Sequence, residues 1–522
     1  MKTIKAIFTF LILSSSGFSQ YTNVMISDLF SPNEPVIIMD SNQPGFLIAA
    51  ANLNSYYISL DTGLTWVQEQ LISDLGVWGD PVLVVDSESN LYYFHLSNPY
   101  EFYPEGDWID RIVCQKSENN GASWLNGTFT GLNPPKDQDK EWAVVDLEND
   151  NIYLTWTQFD AYGSSNPLDS SIILFSKSTD AGSTWSEPLR INQVAGDCID
   201  SDNTVEGAVP AVGPNGEIYV AWAGPEGLVF DRSLDQGETW LAEDIIIDSI
   251  PDGWDYAIPG IYRANGLPIT KCDLSGGPNN GTIYVNWTDQ RNGEDDTDVF
   301  FSKSTDGGDT WSETLRVNDD EAGKQQFLTW MTIDQITGFL YFVFYDRRNH
   351  DDNYTDVYMA RSTDGGETFT NFQISESAFL PNEGVFFGDY TNIAAHDGKI
   401  RPIWTRLHNG QLTLWTAIVN FSINTGVEEN TVGESFSMFQ NYPNPSEDEV
   451  YFSFKLKKEE QVSLRIYDPQ GKLIAEPIVN ETYSYGKHVI TFPFLKYGLA
   501  KGVYYYQIEL GDSIKSDKII FE

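Results

Sequence analysis

Short runs in which apolar and polar residues alternate, each closed by Gly, Asn or Asp, recur from the N-terminal region to about residue 419. Alternation with period two, bounded by turn residues, predicts half-buried β-strands. The runs come in adjacent pairs at residues 36–51, 82–96, 142–157, 209–223, 269–288, 330–345 and 392–405. Each pair is an apolar strand, a turn, and a strand rich in Tyr or Trp. One further strand, 412–419, follows the seventh pair, and residues 23–26 are placed to complete the last unit if the chain closes into a ring.

Between the pairs lies a second periodic signal. The octapeptide Ser-x-Asp-x-Gly-x-Thr-Trp starts at Ser59, Ser117, Ser178, Ser233, Ser304 and Ser362, with spacings of 58, 61, 55, 71 and 58 residues. Its central polar positions are Asp61, Asn119, Asp180, Asp235, Asp306 and Asp364, and the last copy ends in Phe369 instead of Trp. The carboxylate can accept backbone N–H groups a few residues on, and the Gly supplies a positive φ, so together they tie off a tight turn between strands. The aromatic residue then anchors the returning strand. All six copies therefore read as architecture.

These six turns resemble the Asp boxes of the sialidase-like (BNR repeat) β-propellers. In that family the box joins the third and fourth strands of a blade, on the face opposite the ligand site. The fold class expected is all-β: a seven-bladed propeller, with six blades as the alternative, followed by a small Ig-like β-sandwich. The sandwich is read from alternating strands after a polar linker at 422–433. Asn441-Tyr-Pro-Asn-Pro445, Ile466-Tyr-Asp468 with Gly471-Lys472, Gly502-Val-Tyr-Tyr-Tyr506 and a final strand bearing Lys515 and Lys518 resemble the C-terminal sorting domain of the type IX secretion system. That resemblance covers 434–522 and implies a partner in the type IX machinery and a place outside the outer membrane.

The first residues agree with export. Lys2 and Lys5, an apolar run at 6–13 and small residues up to Ser19 read as a signal peptide at 1–19, leaving 20–421 for the propeller. No later run approaches the length of a membrane-spanning helix. With 76 acidic and 31 basic residues the net charge is -45, which excludes nucleic acid as a partner and suits a soluble monomer. Three cysteines are too few for a disulfide framework or a thiolate metal site; Cys198–Cys272 is the pairing expected if one forms.

Ligand chemistry is expected on the face made by loops entering the first strands and joining the second to the third. Those loops supply Asp80, Asp139, Glu141, Glu206 and Asp389 as carboxyl candidates for acid, base or nucleophile, with Tyr390 beside them. Asp289, Arg291, Asp346, Arg347 and Arg406 hold equivalent places in three consecutive units, where forked guanidinium groups can bind a uronate or sulfate or pair with the neighbouring acids. Trp142, Trp330 and Tyr390 are the aromatic residues expected to stack on sugars.

The resemblance to sialidases implies a Tyr nucleophile, an Asp acid/base and three arginines, the first in an Arg-Ile-Pro motif ahead of the first box. The first arginine here is Arg111, after Asp61, so an exo-sialidase is disfavoured; any enzyme expected is a glycoside hydrolase. Acidic loops holding Asp295, Asp298, Asp352 and Asp356 suit Ca²⁺, and five scattered histidines argue against zinc. The expected role is binding or hydrolysis of an extracellular glycan or glycoprotein, with a non-catalytic adhesion or scaffold propeller as the alternative.

Overall fold

The computed structural model describes residues 21–98, 108–421 and, in the C-terminal part, 436–438, 446, 449–456, 458–468, 472–510 and 513–521. The signal-peptide segment and the 422–433 linker lie outside the described residues. The chain divides into two compact units, Met1–Ile423 and Asn424–Glu522.

Among the described residues the first unit holds seven four-stranded antiparallel sheets and a two-stranded hairpin. The innermost strands are Val36–Met39, Gly79–Val85, Asp137–Asp146, Glu206–Val212, Ile269–Cys272, Gln326–Asp334 and Asn392–His396. Each touches the next in that order and the seventh touches the first, so the sheets close a ring, a β-propeller. Closure is by the N-terminal strand Thr22–Ser27, which pairs antiparallel with Gln411–Asn420 and so finishes the seventh sheet.

Burial of the second strand of a sheet on both sides explains its composition. Strand Ile218–Gly224 and strand Ile283–Asp289 are buried at every position, and Trp156, Trp222, Trp287 and Trp404 are the largest side chains fully removed from water. The inner strands line an axial channel of about 290 Å³, apolar apart from a few groups such as Lys271.

The octapeptides form the turns their residue types dictate. In the copy at Ser304, Asp306 accepts Thr310 N–H at 3.0 Å, Thr310 Oγ1 at 2.6 Å and Ser304 Oγ at 2.8 Å, while Gly308 N–H donates to Ser304 Oγ at 2.8 Å. Those hydrogen bonds hold the Asp306 carboxyl down at about 2. The octapeptide Gly does a second job: a Cβ on Gly237, Gly308 or Gly366 would meet the ring of Phe175, Phe230 or Phe301 in the preceding sheet at 2.4, 2.2 and 2.4 Å. The turn glycines are therefore packing contacts between consecutive sheets. Gly308→Ala is expected to lose about 3 kcal/mol, from positive-φ strain plus overpacking. Gly276→Ala, with nothing within 4 Å of its Cβ, should lose only the strain, about 1 kcal/mol. Chemical denaturation of the two variants separates these costs.

The second unit places a three-stranded sheet and a four-stranded sheet around one core. Phe452, Phe454 and Phe492 of the first sheet meet Leu464, Ile466 and Ile508 of the second. Strand Leu473–Tyr483 is absent from the alternating pattern; Pro477 and shifts of register against Glu460–Tyr467 break the period that would have revealed it.

The cysteine pairing expected from sequence is not formed. Cys114, Cys198 and Cys272 are all free and buried. Cys272 packs with Ala211, Tyr219, Phe230 and Ile283 between the fourth and fifth sheets, whereas the Cys198 thiol lies against the backbone of Asp160 and Ala161.

Candidate functional site

The inner strands begin alike. In the second, third, fourth and sixth sheets a bulge precedes the regular ladder, and Asp80, Lys140, Gly207 and Leu328 adopt positive φ there. Glu34 has the same conformation two residues before the first inner strand. A bulge re-aims the side chain it carries, and here it gathers Glu34, Asp80 and Lys140 from three sheets. Asp389 enters from the seventh.

Lys140 is the centre of the group. Its ammonium lies 2.6 Å from Asp389, 3.4 Å from Asp80 and 3.8 Å from Glu34. Burial alone pulls the amine down, but these carboxylates outweigh it and hold the amine well above its ordinary value. Asp389 is also clamped by Arg263, which donates from Nε at 2.7 Å and from Nη2. Burial raises the Asp389 carboxyl, yet Lys140 and Arg263 win and keep it ionised well below the usual range.

The other carboxyls lean the opposite way. Burial pushes Asp139 up to about 8, with Lys140 opposing and Asp80 and Asp200 reinforcing the rise. Glu141 and Glu206 are each 1% exposed, neither has a hydrogen-bond donor on either oxygen, and burial raises both well above the carboxylate range. Glu34 is raised by burial and then by Asp80, and Glu206 by burial and then by Asp200. Asp139 and three glutamates raised by burial thus surround one fixed ion cluster.

A cleft of about 460 Å³ opens onto this cluster. Glu34, Asp80, Asp139, Lys140 and Arg263 line it, and Trp78, Trp108, Tyr162 and Phe386 provide aromatic walls. Trp78 and Trp108 meet edge to face at 5.0 Å, Trp108 and Tyr162 at 5.7 Å, and Arg263 lies over the Phe386 ring.

Of the residues singled out by sequence, Asp80, Asp139, Glu141, Asp389 and Tyr390 come together: each acts electrostatically on another member of the set or on Lys140. Only Asp80 and Asp139 of these line the cleft. Tyr390, Trp142 and Trp330 are corrected. Their rings pack on one another, 4.5 Å apart for the two tryptophans and 5.2 Å for Trp142 with Tyr390, and are 8% exposed or less. They fill the ring axis behind the acids, so no sugar face reaches them.

Of the two readings open for the arginine set, pairing with neighbouring acids is the one seen at Asp289 and Asp346. Arg291 makes a forked pair with Asp289 at 2.9 and 2.6 Å and reaches Asp248 at 3.0 Å. Asp346 is taken by Arg348 at 2.8 Å, while Arg347 donates to Pro259 O and Thr355. Arg406 lies against Phe379 and Trp415 and reaches only Ser377 and Ala378. None of these lines the cleft. The calcium expectation falls for a similar reason. Asp298 is occupied by Arg316, Asn318 and Asn292, and Asp356 by Gln373, Ser375 and His350; Asp352 caps Tyr354 N–H. Among the described residues no group of three or more His, Cys, Asp or Glu side chains is arranged to hold a metal, Asp295 included.

Arg263 was missed by sequence reasoning. It sits in the hairpin of Asp255–Tyr256 and Ala264–Asn265, an insertion between the fourth and fifth sheets that Asn265 ties to Asp389 O at 2.9 Å. The 71-residue octapeptide spacing across this insertion is the signal that marks it.

Residues 440–522 match the family model of the secretion system C-terminal sorting domain. The chain therefore carries a type IX sorting tail, which engages the secretion machinery and directs the protein to the cell surface or the extracellular space. No helix among the described residues is long and apolar enough to cross a membrane. No protein of curated function matches the sequence. Solved structures similar to this chain include the NanB sialidase of Streptococcus pneumoniae, at 11% identity and TM-score 0.42 over 66% of this chain and 68% of that one. A polysaccharide lyase described as an ulvan lyase is similar at 14% identity and TM-score 0.46, over 77% and 96%. An α-L-arabinofuranosidase of Fusarium graminearum is similar at 14% and 0.42, over 70% and 99%.

Proposed function

We propose that the protein is an exported seven-bladed propeller, one blade per sheet, that binds and hydrolyses an extracellular glycan in the cleft between Trp78, Trp108, Tyr162 and Phe386. On this reading the propeller spans 20–421 behind a signal peptide at 1–19, and a linker at 422–433 leads to an Ig-like sorting sandwich at 434–522.

The observation that carries the reading is Asp139, a carboxyl raised to about 8 on the wall of an aromatic-lined cleft and next to Asp80. A neutral acid is what protonation of a glycosidic oxygen requires at pH 7, and a second carboxyl nearby is the base or nucleophile. Asp139 is assigned the acid and Asp80 the second role. Asp389 positions Lys140 and Arg263, and Glu141 and Tyr390 keep the far side of the cluster dry.

Incubating the full chain with chromogenic glycosides and bacterial, algal and animal polysaccharides, and following new reducing ends, tests the proposal. Turnover of one substrate class supports it. Tight binding without new reducing ends moves the protein to the adhesion or scaffold reading, which is favoured by the double clamp on Asp389.

A further inference from the structure

The cleft has more carboxyls than cations can satisfy. Glu34, Asp80, Asp139, Glu141, Asp200, Glu206 and Asp389 surround two cations, Lys140 and Arg263, with Tyr93, Tyr162, Tyr390, Asp202 and Asp255 as further titratable neighbours. Asp389 uses up most of both cations. Glu34, 2% exposed, lines the cleft with Oε1 lacking any hydrogen-bond donor, its other oxygen taking only the Asn52 amide. Burial first, and then Asp80 beside Glu34 and Asp200 beside Glu206, make both glutamates hold their protons more tightly than an ordinary carboxyl does. A cation presented by a ligand can replace those protons.

We infer that the ligand bears a free ammonium group, as an unacetylated amino sugar does, and that this group seats on Glu34 and Asp80, leaving Asp139 its proton. The inference rests on the glycan reading above and narrows it. Lys140 is the internal precedent: an ammonium already held by Asp80, Asp389 and Glu34. The walls fit the same ligand, because Trp78, Trp108 and Tyr162 offer aromatic faces that attract both a cation and the C–H face of a sugar. A uronate or sulfate would meet neutral or negative oxygens backed by a chain of net charge -45.

Calorimetric titration of the full chain at pH 6 tests this, with three probes: a β-1,4-linked glucosamine oligomer, its fully N-acetylated counterpart, and an oligouronate of equal length. The amine oligomer is expected to bind at least tenfold tighter than the acetylated one, and to release protons, seen as a dependence of the heat on buffer ionisation enthalpy. Glu34→Gln should reduce both the preference and the proton release while leaving thermal unfolding unchanged within a few degrees. Equal binding of amine and acetylated oligomers, or preference for the uronate, overturns the inference and leaves the glycan reading standing. A lysine peptide that binds as tightly as the amino sugar, or Ca²⁺ that displaces it stoichiometrically, overturns it too. No binding of any saccharide by a folded chain removes both.

Discussion

Lys140→Met is expected to destabilise the first unit by about 3–5 kcal/mol at pH 8, the usual cost of removing one partner from a buried ion cluster. The ammonium is 10% exposed and compensates Asp389, Asp80 and Glu34 at once. Methionine fills the volume, so the loss reports charge and not a cavity. The direction with pH follows from Asp389. Its carboxyl is held below the ordinary range, so the stability it contributes is present above that range and is lost as pH falls through its folded value. Without Lys140 that contribution shrinks. The gap between variant and wild type should therefore stay wide from pH 8 down to the ordinary carboxylate range and narrow only below it, in urea titrations at pH 8 and pH 3. Adding Asp80→Asn to Lys140→Met should restore part of the loss. A variant as stable as wild type at pH 8 would show that the carboxylates do not depend on this ammonium.

How far the site could be read from sequence depended on whether its residues followed the repeat. The seven strand pairs were legible because a strand with a dry inner face and a turn at each end leaves a period-two trace, as at 36–51 and 330–345. Asp80, Asp139 and Asp389 were legible because they stand at the mouths of inner strands, where repetition fixes the address. Glu34 precedes the first pair, and Arg263 sits in an insertion, so no repeat pointed to either. The arginines were left between two readings, and a local feature decides for pairing. Asp289-Gln-Arg291 and Asp346-Arg-Arg348 place acid and base two residues apart, and each acid bonds the arginine beyond it at its own strand end. An Asp-x-Arg step carried that signal. Trp142 and Trp330 misled because a strand-mouth address does not say whether a side chain faces the cleft or the ring axis. Nothing local distinguishes the acids held neutral from those held ionised, since that depends on which of them Lys140 and Arg263 reach.

Asp139→Asn is expected to lower turnover of any substrate found by about 10²–10⁴-fold while leaving binding within a few-fold, because the amide keeps the shape and polarity of the cleft but has no proton to give. Wild-type kcat/KM should be flat from pH 6 to 7.5 and fall above about 8, where Asp139 ionises. Loss of activity through unfolding is separable by the same residue. The Asp139 carboxyl is raised in the folded state from 3.8 to about 8, so the folded protein binds the proton more tightly than the unfolded chain does. The stability of this neutral form is full below the unfolded value and is lost as pH rises through the folded one. Asparagine cannot ionise, so at pH 9 the inactive variant should melt at a higher temperature than wild type, and the two should converge near pH 4. A variant that is inactive and also less stable at pH 9 would point to lost packing and return Asp139 to a structural role. An active variant with an unshifted pH profile would transfer the proton to another member of the cluster, with Glu34 the next carboxyl on the cleft wall.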